Sequence, residues 1–341
     1  MTEKPQGLFG RKGFELAIKP LPPRPLGPRE VRLRVLACGV CGTDLHFLRD
    51  AEALSPLGHE VCGQVLETGA EVARFAPGQQ VVMEDVALCG VCDACKSGRA
   101  DLCRCGFTMQ EQPGMADELV AHENMLHSAQ GLDPLSAAMT EPLAVAIRCV
   151  ETLGITPGAP LAVYGMGAIG LFCAAYAHFR GAGPITMIAR NRDSRRNRAA
   201  REAALALGAR QALYTQDADW PRAALEAGPF DAVILAAPPS LAAEAMALAR
   251  YGGRVLACGV TFGEDTTAEL DVNDMVFNKK SLLTSIAEPG LHFPLALSLI
   301  RSGAIDVRRV ITHQLPLQKA AELGRLYGQD SSAIKTVIIP G

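Results

Sequence analysis

The stretch L-A-V-Y-G-M-G-A-I-G, residues 161–170, decides how the second half of the chain folds. A short apolar run, which predicts a strand, leads into three glycines and then into the helix-like run L-F-C-A-A-Y-A-H-F. In this context Gly165 permits a tight turn, Gly167 lets the backbone approach a pyrophosphate, and Gly170 lets helix and strand pack closely. The start of the helix also offers N–H groups and a positive dipole end to phosphates. The stretch therefore predicts a dinucleotide site, whose expected contacts are Gly165, Gly167, Ala168, Ile169 and Gly170.

The segments that follow alternate between strand and helix patterns. Apolar strand-like runs (I-T-M-I-A, A-L-Y, F-D-A-V-I-L-A-A and R-V-L-A-C-G) alternate with helical patterns at 194–207, 218–227 and 240–250. Apolar strands that alternate with helices form parallel sheets covered on both faces. We therefore expect an α/β, doubly wound dinucleotide-binding domain in this half of the chain.

The tip of the second predicted strand indicates which dinucleotide binds. An NAD site usually has Asp or Glu about 20 residues after the glycines, but this chain has Arg190, Asn191 and Arg192 there. Two guanidiniums can hold a 2′-phosphate with bidentate geometry, so NADP is favoured over NAD. NAD stays open, because the arginines can also form a solvated loop while Asp193 takes the ribose.

A second stretch, C-G-V-C-D-A-C-K-S-G-R-A-D-L-C at 89–103, has metal-ligand spacing. Four thiolates can close a tetrahedron round one Zn²⁺, and a Cys₄ site without an open position is structural. Four unrelated buried cysteines are the alternative, but the residues between the thiols are polar and charged. The predicted structural zinc ligands are Cys89, Cys92, Cys95 and Cys103.

The region before and after this lobe holds candidates for a second metal, namely Cys41, His59, Glu60 and Glu141. A catalytic Zn²⁺ needs few protein ligands and one open position, and thiolate, imidazole and carboxylate together leave it a usable Lewis acid. Spacing alone does not separate Cys41 from Cys38 as the thiolate ligand. A single histidine is also often structural, and Glu141 also fits a helix-start carboxylate.

The first 150 residues have strand periodicity over most of their length. Residues 1–30 are rich in Pro and Gly and predict extended chain and turns. The run V-R-L-R-V-L-A at 31–37 alternates apolar and polar positions and predicts a strand, as do later runs on both sides of the cysteine lobe. Residues 135–150 have helical spacing, in which Pro142 should kink or cap the helix.

Composition excludes several classes of protein. A chain of 341 residues predicts two domains, and a net charge of −3 argues against a nucleic-acid or membrane-surface partner. No apolar run reaches the ~18 residues of a membrane span, and the N-terminus has no signal-peptide pattern. Eleven cysteines without an export signal predict reduced thiols and a cytoplasmic location.

Five motifs in order resemble one family. C-G-V-C-G-T-D-L-H at 38–46, G-H-E at 58–60, the cysteine lobe, E-P-L-A-V-A and the glycine motif look like the zinc-containing medium-chain dehydrogenases of the alcohol dehydrogenase superfamily. Glu141 in an E-P-L context is similar to the polyol and sugar branch, with sorbitol and glucose dehydrogenases, rather than to the alcohol branch, which has Cys there. A metal-free quinone or enone reductase of the same superfamily lacks these zinc ligands.

The resemblance implies a GroES-like β-rich catalytic domain plus a Rossmann domain. We expect the catalytic domain at 1–150 with its structural zinc lobe at 89–103, the Rossmann dinucleotide-binding domain at 151–288, and a return to the catalytic domain at 289–341. It also implies a homo-oligomer, because family members are usually dimers or tetramers and the polyol branch is often tetrameric; a homotetramer is expected.

The resemblance further implies roles for individual residues. Cys41, His59 and Glu141 match the catalytic zinc ligands, and Glu60 matches a carboxylate that binds the metal directly or through water; Cys38 is then a buried neighbour. In the same motif, Thr43 matches the hydroxyl that touches the substrate oxygen, Asp44 the carboxylate that orients the ligand histidine, and His46 the proton relay.

The implied activity is reversible oxidation of a hydroxyl of a polyol, sugar or related small-molecule alcohol, with hydride transfer to NAD(P). Simple secondary alcohols, threonine-like amino alcohols and aminocyclitols are the alternative substrates. The segment between His46 and His59 is shorter than is usual in the family. Because that loop lines the family's substrate pocket, the substrate of a sorbitol- or glucose-specific relative does not transfer directly.

Overall fold

The structure, a computed structural model, describes residues 4–262, 265–329 and 332–341. Within them, a seven-stranded mixed sheet and a six-stranded sheet form the two main layers, and a three-stranded and a two-stranded sheet complete the strands. None of the helices in these residues is both long enough and apolar enough to cross a membrane.

The strands before the glycine motif pair mainly in antiparallel fashion. They are β1 (Gln6–Arg11), β2 (Glu15–Pro20), β3 (Glu30–Gly39), β4 (Ser55–Pro56), β5 (Glu60–Thr68), β6 (Gln80–Met83), β7 (Val86–Ala87), β8 (Phe107–Thr108), β9 (Glu118–His122) and β10 (Leu126–Ser128). β3 pairs with both β5 and β9 and buries Val31, Leu33 and Val35 on one face. The predicted alternation at 31–37 therefore belongs to a real, longer strand, whereas the β1–β2 hairpin lies where only extended chain and turns were expected.

The α-helices that accompany these strands are α1 (Gly42–Asp50), α2 (Asp93–Lys96), α3 (Pro134–Ala138) and α4 (Thr140–Leu153). The single helix expected at 135–150 is two helices that meet at Met139. Pro142 lies in the first turn of α4, where its missing N–H breaks no helical hydrogen bond. This start places Glu141 at the beginning of α4, and left-handed Gly154 ends the helix.

The middle of the chain alternates strands with helices as predicted. The strands are β11 (Leu161–Tyr164), β12 (Ile185–Ala189), β13 (Gln211–Tyr214), β14 (Phe230–Leu235), β15 (Ala249–Ala257) and β16 (Ser281–Thr284), and the helices are α5 (Ala168–Phe179), α6 (Arg195–Ala206), α7 (Trp220–Ala227), α8 (Ala242–Leu248) and α9 (Val272–Phe277). All the strands are parallel, in the order β13-β12-β11-β14-β15-β16. This is the doubly wound order that binds a dinucleotide where the order reverses, beside β11. The predicted parallel α/β sheet is confirmed, although β16 and α9 were not foreseen.

The end of the chain rejoins the first sheet. Its elements are α10 (Phe293–Arg301), β17 (Ile311–Pro316) and β18 (Lys335–Ile339), with a short π-helical segment at Arg325–Gln329. β18 pairs with β17 on one side and with β3 on the other. The last strand therefore lies beside the strand that leads into Cys41.

Candidate active site

Four thiols meet in the cysteine lobe. The Sγ atoms are separated by 3.6 Å for Cys92–Cys95, 3.8 Å for Cys92–Cys103, 3.6 Å for Cys103–Cys89 and 4.0 Å for Cys89–Cys95. A Zn–S bond of ~2.3 Å requires a tetrahedron with edges of roughly 3.8 Å. The N–H groups of Val91 and Cys92 point at the Cys89 sulfur and lower its pKa to about 6. The spacing of the four sulfurs therefore fits a Cys₄ zinc site, and the two amides favour the thiolate of Cys89.

A second cluster joins Cys41, His59 and Glu60, whose candidate ligand atoms all lie within 4.8 Å of one another. Sheet pairing explains their proximity, because Cys41 follows β3 and Gly39 of β3 lies opposite Glu60 of β5. Cys38 is fully buried and its sulfur points toward the Gly39 carbonyl. Burial raises the pKa of Cys38 well above the usual value. The structure thus brings Cys41 rather than Cys38 to this cluster.

Asp44 connects the two segments that carry these groups. Its Oδ2 atom accepts a 2.8 Å hydrogen bond from the Cys41 amide, and Oδ1 accepts one of 2.8 Å from the Gly58 amide. The carboxyl is 2 % exposed. Asp44 therefore holds the Gly58 backbone that precedes His59. Burial lowers the pKa of the His59 ring, but the Cys41 thiolate and then Asp44 outweigh burial and raise it.

The buried pair Glu60–Lys335 was not anticipated from the sequence. Lys335 Nζ donates to both Glu60 carboxylate oxygens, at 2.6 and 2.9 Å, and to the Val40 carbonyl at 2.9 Å. Burial disfavours the ammonium, but Glu60 raises the pKa of Lys335 above the ordinary lysine value. Gly39 is required here, because a Cβ would overlap the Glu60 carboxylate. The sequence feature that could have indicated this pair is the lysine that begins the otherwise apolar run K-T-V-I-I.

Glu141 lies beside the cluster rather than in it. It is 8 % exposed, and no described side chain donates a hydrogen bond to its carboxyl. Burial raises the pKa of Glu141 to about 8, and Asp85 and Glu60 act in the same direction, whereas His59 opposes them. A cation at the adjoining cluster would stabilise the carboxylate form of this buried group.

The small cavity against Glu141, about 10 Å³ in volume and so large enough for about one water molecule, is lined by further polar side chains that sequence reasoning missed. Asp85, Arg148 and His292 line it together with Glu141. Arg148 follows Glu141 by two helical turns on α4, and its guanidinium lies 3.7 Å from Asp101 of the cysteine lobe. The side chain of Glu288 interacts with Asp85, and partial burial together with this neighbour raises the pKa of Glu288. The cavity beside the metal cluster is thus rich in hydrogen-bonding groups.

Thr43 and His46 occupy successive turns of α1. The Cys41 sulfur lies 3.8 Å from the Thr43 hydroxyl oxygen, so this hydroxyl adjoins the cluster. The His46 ring has its Nδ1 atom 3.7 Å from an Asp50 carboxylate oxygen and meets the edge of Phe262 at a centroid distance of 5.3 Å. His46 is half-buried and reaches toward solvent through Asp50, which is exposed.

The glycine motif forms the floor of a large crevice. Gly165 has φ +121°, and a Cβ there would overlap the Ala236 carbonyl oxygen; a Cβ on Gly170 would overlap the Gly165 carbonyl oxygen. A cavity of about 810 Å³ lies over the motif, and an adjoining cavity of about 310 Å³ reaches Cys41 and Glu60. Gly167 lines both cavities. The crevice therefore fits an extended dinucleotide that ends beside the metal cluster.

The three residues after β12, at 190–192, differ in whether they face the crevice. Arg190 lines the larger cavity. Arg192 instead forms an ion pair with Asp217 and lies over the Tyr214 ring. Asn191 is exposed and accepts a hydrogen bond from the Asp193 amide at 2.8 Å. Of the two predicted arginines, Arg190 is the one that faces the crevice.

Known families match most of this architecture. Residues 27–131 match the alcohol dehydrogenase GroES-like domain, and residues 168–302 match the zinc-binding dehydrogenase domain. The chain belongs to the zinc-containing medium-chain dehydrogenases. The resemblance seen in the sequence and the fold class expected from it, a GroES-like domain plus a Rossmann domain, are confirmed. This dehydrogenase is therefore an oxidoreductase of the zinc-dependent, NAD(P)-linked class.

Its relatives include polyol and sugar-acid enzymes. This dehydrogenase is 30 % identical to L-galactonate-5-dehydrogenase of Escherichia coli (strain K12) over 87 % of each chain. It is 27 % identical to sorbitol dehydrogenase of Bacillus subtilis (strain 168), over 96 % of this chain and 94 % of that enzyme. A protein described as a zinc-binding dehydrogenase from Sinorhizobium meliloti 1021, solved with NADP bound, superposes with a TM-score of 0.84 at 27 % identity over 99 % of this chain and all of the other.

Proposed function

We propose that this dehydrogenase reversibly oxidises a hydroxyl group of a polyol, a sugar or a related alcohol to a carbonyl. The observation that carries the proposal is the Cys41–His59–Glu60 cluster, which an adjoining cavity of about 310 Å³ joins to the glycine motif. The polar side chains of Asp85 and His292, which lie with Glu141 beside this cluster, are groups that further hydroxyls of a substrate can reach with hydrogen bonds. The names of the galactonate and sorbitol relatives support the same class.

We propose two zinc ions per chain, one structural and one catalytic. Cys89, Cys92, Cys95 and Cys103 hold the structural ion. For the catalytic ion, Cys41 and His59 supply the thiolate and the imidazole, and Glu141 supplies the third ligand because its carboxyl has no competing donor among the described side chains. Glu60 acts as a direct or water-mediated contact, since Lys335 already occupies both of its oxygens.

Bound zinc lowers the pKa of a substrate hydroxyl as a Lewis acid, and a bound nicotinamide accepts the hydride. The chain supplies the proton path and the orientation. Thr43 Oγ1 adjoins the cluster, accepts the proton of the substrate hydroxyl and releases its own proton toward His46. His46 holds the proton at a ring nitrogen and releases it toward Asp50 and water. Asp44 keeps the Cys41 and His59 segments in register, and the crevice excludes water from the reacting atoms.

We propose NADP as the favoured cofactor, with NAD as an accepted second. Arg190 faces the crevice and is available for a 2′-phosphate, and Asn191 and Arg192 flank it. Arg192 must break its ion pair with Asp217 before it can contact the 2′-phosphate directly. The Sinorhizobium neighbour with NADP bound supports this preference.

We propose the domain limits 1–150, 151–288 and 289–341, with the last segment returning to the catalytic domain. The pairing of β18 with β3 supports the return. A homo-oligomer, dimer or tetramer, is supported by edge strand β16 and the exposed apolar side chains Val276, Phe277 and Ile286 beside it. The free cysteines support a cytoplasmic location.

A substrate panel tests the function. Zinc-loaded enzyme is assayed for reduced-nicotinamide formation with polyols, sugars, sugar acids, simple alcohols and threonine, each with NADP and with NAD. We expect the highest kcat/KM with a polyol or sugar and NADP, and at least a 10³-fold loss in Cys41→Ala on the scale of lost metal catalysis. Cys105→Ala is the control, because Cys105 is exposed and lies outside both clusters. Turnover retained by Cys41→Ala would contradict the metal assignment.

The Asp85–Glu288 pair favours a second candidate substrate, an alcohol that carries an ammonium group, such as an amino alcohol or aminocyclitol. Two interacting carboxyls beside the cavity complement a cation better than neutral hydroxyls do. The comparison that separates the candidates is one polyol against its amino-deoxy analogue, in wild type and in Asp85→Asn. A preference for the amine that disappears in Asp85→Asn supports the second candidate, and equal KM values exclude it.

A further inference from the structure

Arg196 is a largely buried cation without a counter-ion among the described residues. Its Nε atom is inaccessible to solvent and has no hydrogen-bond partner in residues 4–262, 265–329 and 332–341. The neighbouring arginines differ: Arg192 pairs with Asp217, and Arg198 donates to the Asp193 carbonyl. A partly buried guanidinium without a counter-ion is stabilised by an anion that reaches its exposed nitrogens from the adjoining cavities.

The groups around Arg196 do not supply that compensation. Burial is the main reason why the pKa of Arg196 lies below the usual arginine value, the positive charge of Arg49 acts in the same direction, and Tyr327 opposes both. No described carboxylate forms an ion pair with Arg196, in contrast to Lys335, which has Glu60. The environment therefore disfavours the charge as it stands.

Arg196 lies directly over the glycine motif. It is in the first turn of α6, and a Cβ built on Gly167 would stand 3.2 Å from its Nη2 atom. Arg196 and Gly167 both line the larger and the smaller cavity, so the guanidinium stands at the junction between them. The second glycine of the motif is the one that lets a pyrophosphate approach the backbone.

The described residues that line the smaller cavity carry an excess of positive charge. Arg49 of α1, Arg196 of α6 and Lys335 of β18 line it, and Glu60 is the one carboxylate among the described residues of its lining. Glu60 neutralises Lys335 through the buried ion pair. Two guanidiniums remain, and they come from opposite walls of the cleft. A dinucleotide pyrophosphate carries two negative charges, which match these two cations.

We propose that Arg196, assisted by Arg49, is the counter-ion that binds the cofactor pyrophosphate and joins the two walls of the cleft on it. The inference rests on the proposed use of NAD(P) and deepens it by separating two sets of arginines. Arg190 discriminates NADP from NAD at the 2′-phosphate, whereas Arg196 binds a group that both cofactors share. The α5 N-terminus supplies N–H donors to the same phosphates, and Arg196 supplies the charge.

Binding of ADP-ribose, adenosine, NADP and NAD, measured by titration calorimetry without substrate, tests the proposal. In Arg196→Gln we expect the dissociation constants of ADP-ribose, NADP and NAD to rise by about 10- to 150-fold, the worth of a hydrogen bond to a charged group. Adenosine, which has no phosphate, should bind equally well to both proteins. The matched control is Arg195→Gln, because Arg195 is exposed in the same helical turn and outside both cavities.

Thermal unfolding of the ligand-free protein distinguishes a pyrophosphate-binding role of Arg196 from a purely structural role. Removing an uncompensated buried charge should leave the melting temperature of Arg196→Gln unchanged or higher, while stabilisation by saturating ADP-ribose decreases. A lower melting temperature together with weaker adenosine binding would show a structural role and overturn the proposal. A loss confined to NADP would move Arg196 to the 2′-phosphate and overturn it as well.

These measurements are independent of turnover. Failure of every substrate in the panel with ADP-ribose binding still dependent on Arg196 would count against the proposed substrate class alone. Unchanged ADP-ribose affinity in Arg196→Gln, with turnover intact, would count against the pyrophosphate role alone.

Discussion

Replacing Lys335 by methionine should expose the energetic role of the pair it forms with Glu60. Glu60 is 0 % exposed and the Lys335 side chain 3 % exposed, so neither charge has access to water. Lys335→Met keeps an unbranched side chain of similar length but removes three Nζ contacts, two to Glu60 and one to the Val40 carbonyl. The carboxylate that remains has lost its counter-ion in a buried position. Breaking such a pair costs about 3–5 kcal/mol of unfolding free energy.

Urea unfolding followed by circular dichroism measures this loss by linear extrapolation. The experiment is run after chelation and again with saturating zinc. Freed Glu60 lies within 4.8 Å of the Cys41 and His59 ligand atoms, so it becomes an extra metal ligand and the loss should be smaller with zinc. Because the pKa of Lys335 is raised, its stabilising charge is complete below the unfolded lysine pKa of ~10.4, and the loss should be constant from about pH 6 to 9.

Two further variants test this account of the pair. Lys335→Met combined with Glu60→Gln removes both charges and should recover roughly half of the loss or more, because no uncompensated ion remains. Lys319→Met changes an exposed lysine of the same part of the chain and should alter stability by less than about 0.5 kcal/mol. A loss below about 1 kcal/mol for Lys335→Met, or a double variant as unstable as the single one, would refute this account of the pair.

Three further predictions concern the lobe, the cofactor and a buried carboxylate. Cys92→Ala should lower the zinc content from two ions to one per chain, because the three remaining thiols cannot close the tetrahedron. Inductively coupled plasma mass spectrometry measures the zinc content. Arg190→Ala should raise the KM for NADP by roughly 10- to 100-fold and leave the KM for NAD within about twofold, the loss of a charge-assisted contact to one phosphate. Glu123→Gln should cost about 1.5–3 kcal/mol at pH 7 in urea unfolding, because the variant loses the carboxylate that pairs with Arg29 at 2.8 Å.

The pH dependence of the Glu123 effect follows from the sign of its pKa shift. Burial raises the pKa of Glu123, but Arg29 and the backbone amides of Ala73 and Arg74 outweigh burial and hold it below the usual value. A lowered folded pKa contributes stability above the unfolded value of ~4.3, and this contribution disappears as the pH falls through the folded pKa. The difference in unfolding free energy between wild type and Glu123→Gln should therefore vanish in acid. A difference that persists at acid pH would contradict the stabilising role of the Glu123–Arg29 ion pair.

The first two of these predictions have controls in the chain. Cys105→Ala should keep both zinc ions, since Cys105 lies outside the Cys₄ cluster. Arg192→Ala should affect NADP less than Arg190→Ala does, because Arg192 is held by Asp217. Loss of both zinc ions in Cys92→Ala, or equal effects of Arg190→Ala on the two cofactors, would contradict the respective assignments.

The sequence by itself determined the features encoded by local spacing. The four cysteines at 89–103 and the glycines at 165–170 each occupy a single turn-rich stretch, so their chemistry can be inferred without knowing what packs against them. The alternation of strands and helices likewise determined the parallel sheet. Element limits were less well predicted: one expected helix is α3 and α4, because Met139 interrupts it, and the β1–β2 hairpin lay hidden in a Pro- and Gly-rich segment.

Only the tertiary structure decided which distant side chains complete the site. Lys335 follows Glu60 by 275 positions and meets it because β18 pairs with β3 beside β5. Arg196 reaches Gly167 because parallel β11 and β12 place α6 over the start of α5. Such contacts depend on how strands pair and helices pack, and a residue's own neighbours in the chain do not encode them. Local motifs therefore revealed the metals and the dinucleotide, whereas packing set the charges that surround them.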